Sequence, residues 1–383
     1  MASALLIAGF IALLCLPALD SFWRLDRSPT PNEKRILARM PNFEGVRQLG
    51  RYVAGLENYF NDHFGFRKLL VQWNNHWKFQ WFNESPVGMA MVGRDGWLFW
   101  AEDRMVDNYC GREHFTQTDL NDWQRLLEAR RDLLAQAGTK YLFVIPPDKH
   151  SVYPEFLPAW LSKSPQPSKL DQFLAHMRAH STVEILNLRP ALFEAKQTAA
   201  VYFQTDTHWN AYGGFVGCRE MIRALARQCP GFQPLPVDAF ERERVTERGG
   251  DLAVCLAQEN EMKETQAWRF TPRPPLRPLE TVEVVTGKRA DGPSPIVTRN
   301  PDGTGKAIMF RDSFADALIP FLGYHFQQVL YVRHYEWDEA LLAKEKPGVV
   351  IDEMVERKFN TLSPKDLMPR SGSQTIAAAA KGK

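Results

Sequence analysis

No apolar run in this sequence reaches the ~20 residues of a comfortable helical membrane span; the longest, Ala4 to Leu19, has 16. A polytopic membrane protein is thereby excluded. Neither sign of charge dominates: 47 Lys+Arg stand against 45 Asp+Glu, a formal +2, with no basic block and no interleaving of aromatic and basic residues. A protein that grips a nucleic-acid backbone needs such a block, so no nucleic-acid partner is expected. Histidine and cysteine are scarce, 9 and 5 residues. No second His or Cys pair sits at a recognisable ligand spacing, so neither a metal nor another cofactor is expected. What is abundant points to a folded chain, since 44% hydrophobic residues with 11 Trp and 24 Phe do not suit a disordered polymer. A length of 383 suggests two or three units, at roughly 150 residues per domain.

The apolar run lies where the hydrophobic region of an export signal would, at the extreme N-terminus. No Lys or Arg precedes it and no Ala-x-Ala or small residue closes it. Residues 1–22 therefore read as a signal peptide or, preferably, an uncleaved membrane anchor; a buried N-terminal helix is the alternative. Without Cys15 four cysteines remain, which an oxidising compartment could pair in three ways. Cys218 and Cys229 are 11 positions apart. If Asn210 to Gln228 is one helix, that is about 16 Å, beyond the ~7 Å disulfide limit. They should not pair with each other, and free buried thiols are the other reading.

Along the chain, residues 31–83 read as helical, with Phe66, Leu70, Trp73, Trp77 and Trp81 on one face, expected to be a core stripe and not a sugar platform. Met89 to Trp100 alternates around Gly93-Arg94-Asp95-Gly96, a hairpin signature. After Thr118 and Asp119 as candidate caps, a long helix runs through Ala137 to Gly138, followed by an apolar strand Tyr141 to Ile145. The alternation continues with helix Lys169 to His180, strands Val183 to Leu186 and Val201 to Gln204, and helix Ala211 to Gln228. Strand Ala307 to Phe310, helix Ala315 to Leu322, and strands Val329 to Val332 and Val349 to Ile351 complete it. Such alternation implies an α/β fold, a parallel sheet flanked by helices. Residues 258–305 turn polar and Pro-rich with one β-like run, Thr281 to Val285, and read as a β-containing insertion or surface excursion. Residues 362–383 are expected to be a disordered tail.

Ligands of open α/β sheets bind where strands end and helices begin. Ala307-Ile-Met-Phe-Arg-Asp-Ser313 puts a serine at such a junction. Its hydroxyl would sit at a helix start, where free amides can stabilise an oxyanion; alone, the motif fits a plain N-cap equally well. Val201-Tyr-Phe-Gln-Thr-Asp206-Thr-His208 puts a carboxylate and an imidazole two positions apart, hence on one side of an extended segment. The carboxylate can hold one ring nitrogen while the other accepts a serine proton. An imidazole with the ordinary pKa of about 6.5 is mostly neutral at pH 7 and so competent as a base. A metal half-site and a structural ion pair are the other readings of Asp206 and His208. Lys149, in the segment leaving the Tyr141 strand, could bind an anionic or carbonyl group of a substrate, or be a surface lysine. Gly249-Gly250 could let a backbone amide approach an oxyanion, or be only a turn.

Three motifs in order, the Val92-Gly-Arg-Asp-Gly-Trp-Leu-Phe hairpin, Asp206-Thr-His208-Trp and Arg311-Asp-Ser313-Phe, resemble the alginate O-acetyltransferase family of the AlgJ/AlgX type. The resemblance spans about residues 45–360 and implies an SGNH-hydrolase-like acetyltransferase domain. Its motif order is permuted, since Ser313 follows His208 by 105 residues. It implies Ser313, His208 and Asp206 as the triad, and an acetyl-serine intermediate from which acetyl passes to hydroxyls of an exported or cell-wall polysaccharide. It also implies a periplasmic protein, anchored to the inner membrane by its N-terminal segment, and an acetyl donor delivered by a membrane-bound O-acyltransferase. Lys149, Arg311 and Tyr212 are carried as substrate-binding candidates. Arg311 stands where ordinary GDS-type esterases have glycine, and no Gly-x-Asn segment for the oxyanion is evident. Two rival functions stay open: a polysaccharide acetylesterase of the same fold, and a non-catalytic glycan-binding or scaffolding subunit.

Overall fold

The computed structural model describes residues 2–26, 37–82, 88–283 and 293–368. The start and last residue of the expected 31–83 helix, the end of the Thr281–Val285 run and the tail from 369 lie outside the described residues. Among the described residues eleven strands follow in chain order: β1 Ala90–Val92, β2 Leu98–Trp100, β3 Lys140–Ile145, β4 Ile185–Asn187, β5 Phe240–Arg248, β6 Lys263–Pro272, β7 Glu280–Glu283, β8 Ile296–Arg299, β9 Lys306–Phe310, β10 Gln328–Val332 and β11 Val349–Glu353.

The main sheet has the order β4-β3-β11-β9-β10-β8-β7. Its first five strands are parallel. Their near-continuous apolar runs are what a strand covered on both faces requires. Because side chains alternate, each central strand feeds two cores. Leu142, Val144, Met309 and Ile351 meet the helix Ala211–Gln228 through Phe215, Ile222 and Leu225. Phe143, Ile308, Phe310 and Val350 meet Trp123 and Leu127 of the helix Gln117–Gln136 and Phe173 of the helix Lys169–His180 on the other face. The expected α/β layering is therefore observed.

Several expectations require correction. The long helix is capped two residues earlier than expected: Thr116 Oγ1 accepts from Asp119 N at 3.2 Å while Asp119 Oδ2 accepts from Thr116 N at 2.9 Å. The 258–305 segment is no mere surface excursion, for β8 and β7 extend the sheet antiparallel beyond β10, and β6 pairs with β5 in a separate ribbon. Val201–Gln204 forms no sheet strand. Phe203 N instead donates to His208 O and Asn210 N to Val201 O, and an isolated bridge joins Tyr202 to Trp209. The backbone groups of this stretch close a tight loop on themselves and are not left for a ladder. After Ser313 the expected continuous helix is broken into a 3-10 turn, Phe314–Ala317, and a short helix, Ile319–Leu322, because Pro320 brings no N–H and can sit only in a first turn. The chain beyond 362 packs at least through Leu367, which is buried against the Gln117–Gln136 side.

The N-terminal region is helical, with α1 Ala2–Trp23, α2 Leu49–His63 and α3 Arg67–Phe82. Among the described residues no helix is long and apolar enough to cross a membrane. Of the stripe expected to be core, Leu70, Trp73 and Trp77 are 50%, 61% and 54% exposed and Phe66 is half-buried, while the Trp81 side chain lies outside what the structure describes. None of the five cysteines is in a disulfide.

Candidate active site

Parallel strands β3, β11 and β9 end together, so the loops leaving them share one rim of the sheet. From β9 the chain passes through Arg311 and Asp312 to Ser313, whose own position is half-buried. The turn is held from three sides by Asp312. Its Oδ1 accepts from Phe314 N at 2.7 Å, and its Oδ2 accepts from Tyr335 OH at 2.6 Å and from Val355 N at 2.8 Å. Its own N–H donates to Glu353 Oε2 at 2.9 Å. Burial, and next the Asp312 charge, drive the Glu353 carboxyl well above the usual carboxylate range.

Facing this turn is the loop 203–208. His208 Nε2 lies 2.8 Å from Ser313 Oγ, and Nδ1 lies 2.7 Å from Asp206 Oδ1. His208 N donates to that same Oδ1 at 2.9 Å, and Asp251 N donates to Asp206 Oδ2 at 2.8 Å. Burial works against charge on Asp206, but the hydrogen bond and charge of His208 and the two backbone N–H donors outweigh it, holding the carboxyl well below its usual range. The His208 ring is 27% exposed along its side chain, so one approach to the imidazole stays open. Trp209 Nε1 donates to Phe314 O at 2.7 Å, tying the two loops directly.

The structure thus brings Ser313, His208 and Asp206 into one hydrogen-bonded line. The other candidates stand elsewhere. Lys149 is buried, and its Nζ donates to Leu98 O at 2.5 Å, Gln204 O at 3.0 Å and Asp206 O at 2.8 Å. An ammonium has three N–H bonds, so all are committed to tying β2 to the Asp206 loop and none is left for a substrate. The Trp97 and Phe99 rings lie 5.2 and 5.3 Å from this ammonium. Arg311 is 3% exposed and turns back to Asp316 Oδ1 at 2.5 Å and Asp312 O at 2.9 Å, which makes it a brace of the nucleophile turn. Tyr212 is half-buried beside the Trp268 ring, 6.2 Å between centroids.

Sequence reasoning missed Asp251 and Glu264. Asp251 Oδ1 accepts from Thr207 N at 2.7 Å, and its Oδ2 lies 3.9 Å from His208 Nδ1. Glu264 Oε2 accepts from both Thr205 N and Thr205 Oγ1 at 2.8 Å. Gly249-Gly250 was the one signal in this stretch, and its purpose differs from the expectation. A Cβ at Gly250 would stand 2.4 Å from Asp206 Cβ, so the missing side chain lets Asp251 N reach the Asp206 carboxylate. Asp206, His208 and Asp251 do have ligand-type atoms within 4.8 Å of one another. Each is engaged by an N–H or hydroxyl, however, and the set reads as a hydrogen-bonded relay.

A helix-flanked parallel sheet whose serine, histidine and aspartate loops converge at one rim defines an SGNH-hydrolase-like domain with its motifs in permuted order. The chain belongs to the family described as SGNH hydrolase-like domain, acetyltransferase AlgX, whose model matches residues 90–290. That match contains Asp206 and His208 and stops before Ser313. A probable alginate O-acetylase AlgJ of Pseudomonas putida is 30% identical over 193 residues, 49% of this chain and 48% of that protein. Alginate biosynthesis protein AlgX of Pseudomonas aeruginosa is 30% identical over 177 residues, 43% of this chain and 34% of that one. The chain thus spans about half the length, or less, of the curated relatives it matches. Bacillus cereus PatB1 shares the fold, with a TM-score of 0.53 at 15% identity over 72% of this chain and 98% of that one.

Proposed function

We propose that this chain is an O-acetyltransferase that moves acetyl groups through Ser313 onto hydroxyls of an exported, alginate-like polysaccharide. The single observation that carries the reading is the line Ser313 Oγ to His208 Nε2 at 2.8 Å and His208 Nδ1 to Asp206 Oδ1 at 2.7 Å. Family membership and the names of the AlgJ and AlgX relatives support the substrate class.

Ser313 Oγ attacks the carbonyl carbon of an acetyl ester while His208 Nε2 takes its proton, and Asp206 stabilises the imidazolium. The bond to the donor oxygen breaks and His208 returns the proton to that oxygen, leaving acetyl-Ser313. A sugar hydroxyl then gives its proton to His208 Nε2 and attacks the acetyl carbon; Ser313 Oγ leaves and recovers the proton. The acetyl group has moved and the protein is unchanged. The proposed setting is the periplasm, with residues 1–22 as anchor and a membrane-bound O-acyltransferase as the supplier of acetyl.

The test supplies an acetyl-ester donor with and without a mannuronate oligosaccharide. Acetylated oligosaccharide from the native chain, and none from Ser313→Ala, is the expected outcome, with an acetyl adduct on Ser313 in mass spectra of trapped native protein. Acetate alone would make the chain an esterase, and undiminished transfer by Ser313→Ala would remove the triad reading altogether.

A further inference from the structure

On the α/β domain large apolar side chains are tucked away; among the described residues, all the large hydrophobics that stand exposed lie between Leu5 and Trp77, except Trp160, Phe193 and Val282. Scattered exposed leucines are ordinary, whereas aligned ones over successive helices mark a contact surface. In α2 the exposed set is Leu49, Val53 and Phe60, and no residue of that helix is buried. In α3 it is Leu70, Trp73 and Trp77. At about 100° per residue each set falls within roughly a sixth of its helix circumference. The start of α3 is tied to the end of α1, for Phe66 N donates to Asp20 Oδ2 at 3.0 Å.

Residue type and charge select the occupant. Between residues 37 and 82 the sequence has six basic residues (Arg39, Arg47, Arg51, Arg67, Lys68, Lys78) against three acidic ones (Glu44, Glu57, Asp62), and α3 itself contains no acid. Lys78 lies about 80° around α3 from Leu70, on the flank of the tryptophan stripe, whereas Arg67 turns back on the chain, its Nε donating to Asn61 O at 2.8 Å. Tryptophans over an apolar face with a cation beside them match a bilayer surface, where indoles settle between acyl chains and headgroups and ammonium or guanidinium groups meet phosphates. The 16 residues of α3 measure about 24 Å, short of the ~30 Å hydrocarbon core, so the fit is to lie along the surface and not to cross.

We propose that α2 and α3 form a membrane-surface platform that lies flat on anionic phospholipid, with Trp73 and Trp77 at the acyl–headgroup boundary and Lys78 on the phosphates. This surface is separate from the anchor proposed for residues 1–22, and the test separates the two. The full chain carrying Ile7→Asp and Phe10→Asp, which disables α1, is floated with phosphatidylcholine vesicles with and without phosphatidylglycerol. It is expected to bind the phosphatidylglycerol vesicles, and to lose roughly tenfold or more in partitioning when Trp73→Ser and Trp77→Ser are added. In the native chain, brominated acyl chains should quench tryptophan emission more than in the Trp73→Phe, Trp77→Phe variant. Circular dichroism and acetyl-ester turnover check that every variant is folded. Flotation that vanishes with α1 alone would overturn the platform, as would binding indifferent to the two tryptophans. A tryptophan-dependent dimer in light scattering without vesicle binding would overturn it as well.

Discussion

Lys149 shows how a residue can serve a site without facing a substrate. Burial pulls its ammonium down from 10.5 to about 7, against the opposing attraction of Asp206, Glu264 and Asp251. A cation whose folded pKa lies below its unfolded value leaves the unfolded chain holding the extra proton between the two. Stability therefore rises with pH from about 7 towards 10.5, and the cost of burying the charge is felt in full only below that window. Lys149→Met has no such group, so the native chain should gain stability relative to it, on the order of 2 kcal/mol between about pH 7 and pH 9. Urea midpoints of the two proteins at both pH values check this, and parallel lines would refute it. The same variant should lose on the order of 10²-fold in kcat with KM little changed, because the Asp206 carbonyl is one of the three groups the ammonium fixes.

At the scale of elements, the turn after β9 depends on a short chain of donors anchored in other parts of the sheet. Tyr335 OH gives Asp312 Oδ2 one of its two hydrogen bonds, and burial beside Asp312 and Glu353 raises the Tyr335 phenol far above its ordinary range, so it remains a donor at any working pH. Tyr335→Phe should cost about 1.5–3 kcal/mol in stability, the worth of a hydrogen bond to a charged acceptor. It should also lower turnover by a smaller factor than Asp312→Asn, which disturbs all three bonds Asp312 accepts; paired denaturation and kinetic measurements would show the reverse order if the turn were held otherwise. The elements also mark what the sequence could reveal. Continuous runs such as Tyr141 to Ile145 and Ala307 to Phe310 announce strands covered on both faces, and the Asp206-x-His208 and Ser313 motifs sit beside them. Asp251 and Glu264 carry no such pattern, since they reach the site through a ribbon and a tight glycine approach that only the tertiary fold creates. The stripe at Leu70, Trp73 and Trp77 was legible as a face that must be covered, but periodicity does not say by what, and the answer was not the core.

At the scale of the whole molecule, cohesion rests on the two cores that sandwich the sheet, not on covalent staples. Cys218 is buried in the core packed against the Ala211–Gln228 face, where burial drives its thiol pKa well up, and Cys255 is buried at the end of the short helix Asp251–Cys255. Cys218 and Cys229, 11 positions apart along and just past one helix, are held about 16 Å apart by its rise. A single disulfide would contribute about 2–4 kcal/mol, and each kcal/mol moves the midpoint of a domain of this size by roughly 2–4 °C. Reductant should therefore leave the melting midpoint of the native chain unmoved, and alkylation of the unfolded, unreduced protein should reach all five thiols. A fall of several degrees in reductant, or fewer alkylated sites, would mean that a pair closes in the oxidising compartment proposed for this chain. In that event the helix Ala211–Gln228, which carries Tyr212 and packs against the nucleophile turn, would have to shift to bring any pair including Cys218 together.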